Sequence, residues 1–592
     1  MCGIAGIINF NKTQPDRLEM EAVSRSLRHR GPDGSGELFT RQAAMIMRRL
    51  SIIDVAGGNQ PLFNENKTIA VVGNGEIYNY PELQKYLRQR GHKLATGSDI
   101  ETAVHLYEDY GYQGFRKMRG MFALAVLDTR KNEVVLIRDR MGEKPLYYTE
   151  TNEGVAFASE MKAIIKFRHL NKDLNPAAIN NYFHYYYVPE PETIFSGVNK
   201  LGKGEMLIIN SGSRKITRQK YWDPDPAGAI DWSDPVSGIR TNFEKACELC
   251  LRSDVPVGLA LSGGIDSGSI LAMIASKYKT NTFKTFSVGY PGYPPSDERT
   301  QAGDLARRFK VQFYEAEVEN RNVVDNFPQL VWDGDDPIAD IAGSSINEVY
   351  KLAHEHGIKV LLGGLGGDEL FWGYDWIRQA MVRGENANFY SRTPGYRTAE
   401  MFISKCYGKL IKPNEGDKYF MAESTDKVTL ARQAMKQVRD VWLVSNCIDL
   451  NDRLSMANSV ELRSPFLDYR LVETVLKSGP ILSSYNQEPK YWFKKAVKDI
   501  LPDQVLTRPK KGFTPPVSVW LRLIIARYGK LLPGGWLEEN DIIHRSAIRM
   551  INHTWPTMPF FWYGIYQMIL LELWGRMYTR GETPKQICQL SH

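Results

Sequence analysis

At 592 residues the chain is too long for one hydrophobic core, and a prior of roughly 100–200 residues per domain points to two or three. Its 43% hydrophobic, 24% charged and 11% aromatic content lies in the globular range and excludes a disordered or low-complexity chain. The net charge of +7 comes from 75 basic and 68 acidic residues spread along the chain, in clusters such as Arg28-His29-Arg30 and Lys510-Lys511, which argues against a nucleic-acid partner. No apolar stretch approaches the ~18 residues of a membrane span, and the start, Met-Cys-Gly-Ile-Ala-Gly, has neither part of a signal peptide. The cysteines (Cys2, Cys247, Cys250, Cys406, Cys447, Cys588) are sparse and irregular, as expected of reduced thiols in a cytoplasmic enzyme. Cys247 and Cys250 form a lone C-x-x-C in a helical run from Arg240 to Leu251, and read as a helix face rather than a zinc or redox site.

Residues 1–210 are rich in short β-type runs: Ile4–Ile8, Thr68–Val72, Met121–Leu127, Val134–Ile137, Val155–Ala158 and Glu205–Ile209. Residues 211–235 read as turn and linker, with Ser-Gly-Ser-Arg-Lys and Asp-Pro-Asp-Pro-Ala-Gly. From 236 to 592 a second domain opens with alternating elements. Its predicted strands are Val257–Leu261, Lys284–Val288, Phe313–Val318 and Ile358–Leu362, and its predicted helices are Ser267–Lys277, Glu298–Phe309 and Ser345–His356. That alternation predicts a parallel sheet with right-handed crossovers. From about 375 onward the chain reads as helical, and the Trp555–Trp574 stripe reads as packing.

Cys2 follows the initiator Met, so removal of Met1 would leave one residue with both a thiol and a free α-amine. The amine's reference pKa of ~7.7–8.0 suits it to take the thiol proton. Alone, a cysteine at position 2 means little. Three segments at turns after β-type runs give it company: Arg49-Leu50-Ser51-Ile52, Asn74-Gly75-Glu76-Ile77-Tyr78-Asn79 and Gly97-Ser98-Asp99. Acyl transfer from an amide needs donors for an oxyanion, for which the Asn74 amide and the Gly75 N–H serve at ~3–4 kcal/mol each. Arg49 and Asp99 are natural partners for the α-carboxylate and α-ammonium of glutamine.

These segments, with Cys2-Gly-Ile-Ala-Gly and Arg28-His29-Arg30-Gly31-Pro32-Asp33-Gly34, resemble the class II glutamine amidotransferases in order across residues 1 to about 210. The resemblance implies an α+β domain built as an αββα N-terminal-nucleophile sandwich, with Cys2 as the thioester-forming nucleophile. It implies a glutamine pocket of Arg49, Leu50, Ile52, Asn74, Glu76, Ser98 and Asp99.

In the second domain the strand ending at Leu261 runs into Ser262-Gly263-Gly264-Ile265-Asp266-Ser267 and a helix, which makes an anion cradle of N–H groups at a helix N-terminus. The loop lacks the lysine of a Walker A motif and resembles the pyrophosphatase-type loop (PP-loop) of adenylating enzymes. Such a loop implies ATP as substrate, with Asp266 serving Mg²⁺. A second Gly-rich loop, Gly363-Gly364-Leu365-Gly366-Gly367-Asp368-Glu369, opens at the same sheet edge and lets Asp368 join Asp266 at one metal site. Ser287 and Val288 are candidates for the adenine pocket. Asp452-Arg453, Glu461 to Asp468 and Arg508-Pro-Lys510-Lys511-Gly512-Phe513 follow, with Lys510 placed to steady departing pyrophosphate. Together the two halves resemble the asparagine synthetase family, an α/β parallel-sheet PP-loop domain with a helical C-terminal part behind a glutaminase domain, and the resemblance suggests a homodimer.

Family members that make asparagine carry an acid three residues before the metal-binding aspartate. Leu365 stands there, and leucine neither accepts a proton nor pairs with ammonium. Leu450 likewise replaces a basic residue common two positions before the Asp-Arg pair. The expected chemistry is therefore glutamine-dependent amidation of an adenylated carboxylate other than aspartate. Asparagine synthesis is the alternative.

Overall fold

A computed structural model describes residues 2–11, 13–224, 230–383, 401–411, 424, 426–509, 515–557 and 559–591. The N-terminal half carries twelve strands: β1 (Cys2–Asn9), β2 (Gly34–Phe39), β3 (Ala43–Arg49), β4 (Leu62–Phe63), β5 (Ile69–Ile77), β6 (Gly120–Asp128), β7 (Glu133–Arg138), β8 (Tyr147–Thr151), β9 (Gly154–Ala158), β10 (Asn199–Lys200), β11 (Glu205–Asn210) and β12 (Lys215–Lys220). They form two antiparallel six-stranded sheets, ordered β10-β8-β9-β1-β3-β2 and β12-β11-β7-β6-β5-β4. Period-two alternation explains why the sheets stack. In β1, Ile4 and Ile8 point into the core between the sheets and Ala5 points out. In β5, Ala70 and Val72 point in, while Ile69 and Val71 face helices. Helix Arg17–Ser26 covers the first sheet, and helices Tyr80–Gln89 and Glu101–Tyr110 cover the second. The four layers are those of the αββα sandwich.

Residues 211–235, read as linker, carry β12 before the chain leaves the sheet. It pairs with β11 across a tight turn, Asn210 opposite Lys215. Its sequence Lys-Ile-Thr-Arg-Gln-Lys is the charged sort that protects a sheet edge, and such charge masks a strand in sequence.

The second sheet system is β13 (Val257–Ala260), β14 (Lys284–Gly289), β15 (Gln312–Glu317), β16 (Val360–Leu362) and β17 (Glu461–Arg463), all parallel in the order β15-β14-β13-β16-β17. The order reverses between β13 and β16, which opens a crevice at their carboxyl ends. The four strands and three helices expected from the alternating pattern all form, and β17 extends the sheet. Helix Pro235–Cys250 buries Cys247 and Cys250 as free thiols in the core. Trp574, fully buried on helix Trp562–Thr579, donates to Asp335 O at 2.8 Å, so this aromatic stripe is packing. Among the described residues no helix is long and apolar enough to cross a membrane.

Candidate active sites

Cys2 opens β1 and pairs in register with Arg49 at the end of β3. Its N–H donates to Asn74 Oδ1 at 3.1 Å, and its carbonyl accepts from Arg30 Nε at 3.1 Å. Burial raises the pKa of the thiol, against the N-terminal charge and the Leu50 N–H. Asn74 is fully buried, and among the described residues its Nδ2 has no hydrogen-bond partner. A buried amide N–H₂ left open on the side chain that holds the Cys2 N–H is a donor awaiting an acceptor. Gly75 follows at φ +132°, where a Cβ would overlap Met121 O, so only glycine brings the backbone this close.

Arg49 lies nearly buried, and its guanidinium donates to Val55 O (3.1 Å), Asn59 Oδ1 (3.0 Å), Ile53 O (3.2 Å) and Asp54 O (2.7 Å). These acceptors are all neutral, so Arg49 shapes the 53–59 loop while keeping its full charge. Asp99 accepts from Ile77 N at 2.6 Å. Burial pushes its carboxyl up to about 6, partly offset by the Ile77 and Ile100 N–H groups. Burial, then Asp99 and Glu461, push Glu76 well above the carboxylate range, while Arg463 Nη2 stands 3.8 Å from Glu76 Oε2 and pulls the other way. Ser98 is buried beside Asp99, and the carbonyl of Ile52 accepts from Asp254 N at 3.1 Å, a contact from the second domain.

At the end of β13, Ser267 Oγ accepts from Ser262 N (3.0 Å) and lies 3.0 Å from Ser262 Oγ, which in turn accepts from Gly264 N (3.2 Å). The hydroxyls pin the loop into a cup, and Arg508 Nη1 closes one side by donating to Gly263 O at 2.5 Å. Next to the cup lies a cavity of about 220 Å³ lined by Leu261, Ser262, Ser287, Val288 and the apolar faces of Phe286, Ile346, Val349 and Tyr350. The second loop packs hard on the first: a Cβ at Gly364 would stand 2.8 Å from Asp266 Cβ, and one at Gly367 would overlap the Asp266 carboxylate. Gly363 N donates to Arg463 O at 2.9 Å.

Asp266 and Asp368 do converge, and between them lies Lys490. Its Nζ pairs with Asp266 Oδ2 and stands 2.7 Å from Asp368 Oδ1. Burial would lower the pKa of the ammonium, but the two carboxylates outweigh it and raise it. Two facing acids that hold a buried cation are a donor set suited to a hard divalent ion. Lys510 lies outside the described residues.

The sites are joined by a charged interface. Arg30 donates to Asp452 through Nη1 (2.9 Å) and Nη2 (3.2 Å) and to Glu160 at 2.7 Å, and Lys200 Nζ sits 2.6 Å from Asp336 and 2.7 Å from Asp449. Burial works to raise the Asp452 carboxyl, but Arg30, Lys144 and Arg453 hold it at about 2. The Arg28–Gly34 and Asp452–Arg453 segments are thus mates across the domain boundary. Beside them an apolar cluster runs from Leu50, Ile52, Tyr78 and Met121 into Leu261, Leu362 and Leu370.

A family model described as a glutamine amidotransferase domain matches residues 1–222, and one described as asparagine synthase matches residues 238–576. The glutamine-hydrolyzing asparagine synthetase 1 of Bacillus subtilis (strain 168) is 31% identical over 565 residues, covering 88% of either chain. The chain belongs to the glutamine-hydrolyzing asparagine synthetase family. It is an ATP-dependent glutamine amidotransferase of the ligase class. A second Bacillus subtilis synthetase, number 3, is 29% identical over 570 residues, covering 90% of this chain and 91% of its own. The relative named amidase chry2, from Gibberella zeae, is 28% identical over 580 residues, covering 85% of either chain.

Within this family member, Leu365 is half-buried against the apolar cluster, and its carbonyl accepts from Ser464 Oγ at 2.5 Å. Leu450 is buried in the core against Gly343, facing away from solvent. Lys490 is the residue that sequence reasoning missed. It stands at a helix N-cap at φ +61°, in Pro-Lys-Tyr-Trp-Phe-Lys-Lys. A cation there opposes the helix dipole, and that anomaly was the available signal.

Proposed function

We propose that Cys2, freed of Met1, attacks the amide of glutamine while Asn74 Nδ2 and the Gly75 N–H receive the oxyanion. Asp99 and Arg49 take the α-ammonium and α-carboxylate, and Leu50, Ile52, Glu76 and Ser98 wall the pocket. The unpartnered Asn74 Nδ2, on the side chain whose Oδ1 holds the Cys2 N–H, is the observation that carries this half. The ammonia released passes along the apolar cluster between the domains, where exclusion of water keeps it unprotonated.

In the second domain the Ser262–Ser267 cup, with Leu261, Gly263, Gly264, Gly363 and Gly364, holds the phosphates of ATP, and Ser287 and Val288 line the base pocket. Asp266 and Asp368 would hold Mg²⁺, which supplies charge neutralisation on the phosphates when bound. Lys490, buried between them, adds a fixed positive charge where pyrophosphate departs, and Lys510 is a further candidate for that task.

The acceptor is a carboxylate other than aspartate. The reason is Leu365: the loop that reaches the acyl group offers an apolar side chain at the position where an amino-acid acceptor would require a counter-charge. The identity with relatives named asparagine synthetases favours aspartate instead. Pyrophosphate release from ATP across a panel of carboxylates decides between them. A carboxylate that outpaces aspartate supports the reading, and asparagine formed at ordinary turnover removes it.

A further inference from the structure

Glu65, His92, His105 and Glu108 meet on the helical side of the glutaminase domain, and their donor atoms all lie within 4.8 Å of one another. Helix Glu101–Tyr110 places His105 and Glu108 on one face. His92 comes from the segment after helix Tyr80–Gln89, and Glu65 from the turn between β4 and β5. None of the four has a part in glutamine or ATP chemistry.

The two imidazoles are oriented alike. His92 Nδ1 stands 3.2 Å from Glu65 Oε1, and its Nε2 stands 3.2 Å from Asp109 Oδ1. His105 Nδ1 faces Glu65 Oε2 at 3.5 Å, and its Nε2 faces Glu101 Oε1 at 3.6 Å. Each ring thus turns one nitrogen inward and the other to an outer carboxylate, the arrangement that fixes a metal-binding histidine. The outer carboxylates are themselves held: Asp109 by Arg90 Nε at 2.5 Å, and Glu101 by Ala95 N at 2.6 Å and Thr96 N at 2.8 Å.

His105 is fully buried, yet among the described residues neither ring nitrogen has a hydrogen-bond partner. Glu108 accepts from Asn64 Nδ2 at 3.0 Å through Oε1 and leaves Oε2 buried without one. Native interiors seldom leave such groups unsatisfied. The centroids of the His92 and His105 rings are 4.7 Å apart, so both can reach a single ion. One dication between the two rings and the two glutamates satisfies all of these groups at once.

We propose that Glu65, His92, His105 and Glu108 bind one divalent ion of the zinc class, with Asp109 and Glu101 orienting the rings. Two imidazole nitrogens and two carboxylate oxygens complete a closed tetrahedral set, whereas Mg²⁺ and Ca²⁺ prefer oxygen alone. The ion ties together three segments, one of which runs through Ala95, Thr96 and Glu101 and carries Ser98 and Asp99. It is a structural clamp behind the glutamine pocket.

The test uses the full chain, stripped with chelator and titrated with Zn²⁺ by calorimetry and with Co²⁺ by visible absorption. One equivalent binds, Co²⁺ gives the intense bands of tetrahedral coordination, Zn²⁺ displaces it, and millimolar Mg²⁺ does not. His92→Gln and Glu108→Gln, both at partly exposed positions and checked for fold by circular dichroism, each weaken Zn²⁺ at least about tenfold, and Asp109→Asn does so by about tenfold. Absence of stoichiometric binding at tens of micromolar Zn²⁺ overturns the proposal, and so does binding that His92→Gln and Glu108→Gln leave unchanged.

Discussion

Replacing Lys490 with methionine removes a cation from between two acids while keeping most of the side-chain volume. At the 2.7 Å between Lys490 Nζ and Asp368 Oδ1, unit charges in a medium of effective dielectric constant about 20 attract by roughly 6 kcal/mol. Most of that is offset by desolvation, and breaking a buried pair from one side costs about 3–5 kcal/mol. Asp266 and Asp368 keep about a fifth of their side-chain surface exposed, which places the loss near the lower end, about 3 kcal/mol. For a domain of this size that lowers the unfolding midpoint by roughly 5 °C. Lys490→Met then leaves two facing carboxylates that a dication can bridge, so Mg²⁺ raises the midpoint of the variant more than that of the parent. Differential scanning fluorimetry with and without Mg²⁺, alongside pyrophosphate release, reads both effects. A shift under 1 °C with unchanged pyrophosphate release would refute the reasoning.

If Asn74 is the oxyanion donor proposed above, Asn74→Ala lowers glutaminase turnover about 10²–10³-fold with little change in stability, as measured by glutamate release. Asp99 is ionised only above about 6, so the KM for glutamine rises as pH falls and is about tenfold higher one unit below that value. A flat KM between pH 5 and 7 contradicts the assignment. The sign for stability runs the other way: burial raises the folded pKa of Asp99, so its ionisation costs stability as pH climbs from about 4 to 6. Asp452→Asn takes from Arg30 one of its two carboxylates and leaves Glu160, so the cost falls at the low end for a buried pair, about 3 kcal/mol, seen as separate unfolding of the two halves by calorimetry. Because the folded pKa of Asp452 is held at about 2, its contribution is complete above pH ~4 and disappears as pH falls toward 2.

Much of this was legible because the chemistry demanded rare residues at set places, although Asn74-Gly75 lies inside β5 and not at the turn expected after it. Asn74-Gly75 needed a left-handed glycine against Met121, and two glycine pairs beside acids exceeded what βα turns require. Four strands of the parallel sheet could be read from their alternation with helices, although only β13 and β16 are apolar throughout. β17 could not, because Glu461-Leu462-Arg463 has three residues and two charges, and its place depends on pairing with β16. The interface hid for a similar reason. Arg30 and Asp452 are 422 residues apart, and nothing local in either segment names its partner. Lys490 has Lys494 and Lys495 close by in sequence, and only the fold places it between Asp266 and Asp368.

In the proposed cycle Cys2 generates ammonia for a second, separate site. Cys2→Ala tests it most directly, in the full chain with ATP, the preferred carboxylate, and either glutamine or ammonium chloride as nitrogen source. Glutamate release and glutamine-dependent amide formation should vanish while the ammonium-dependent reaction persists at parental rate. Glutamine-dependent amide formation that survives the substitution would contradict it.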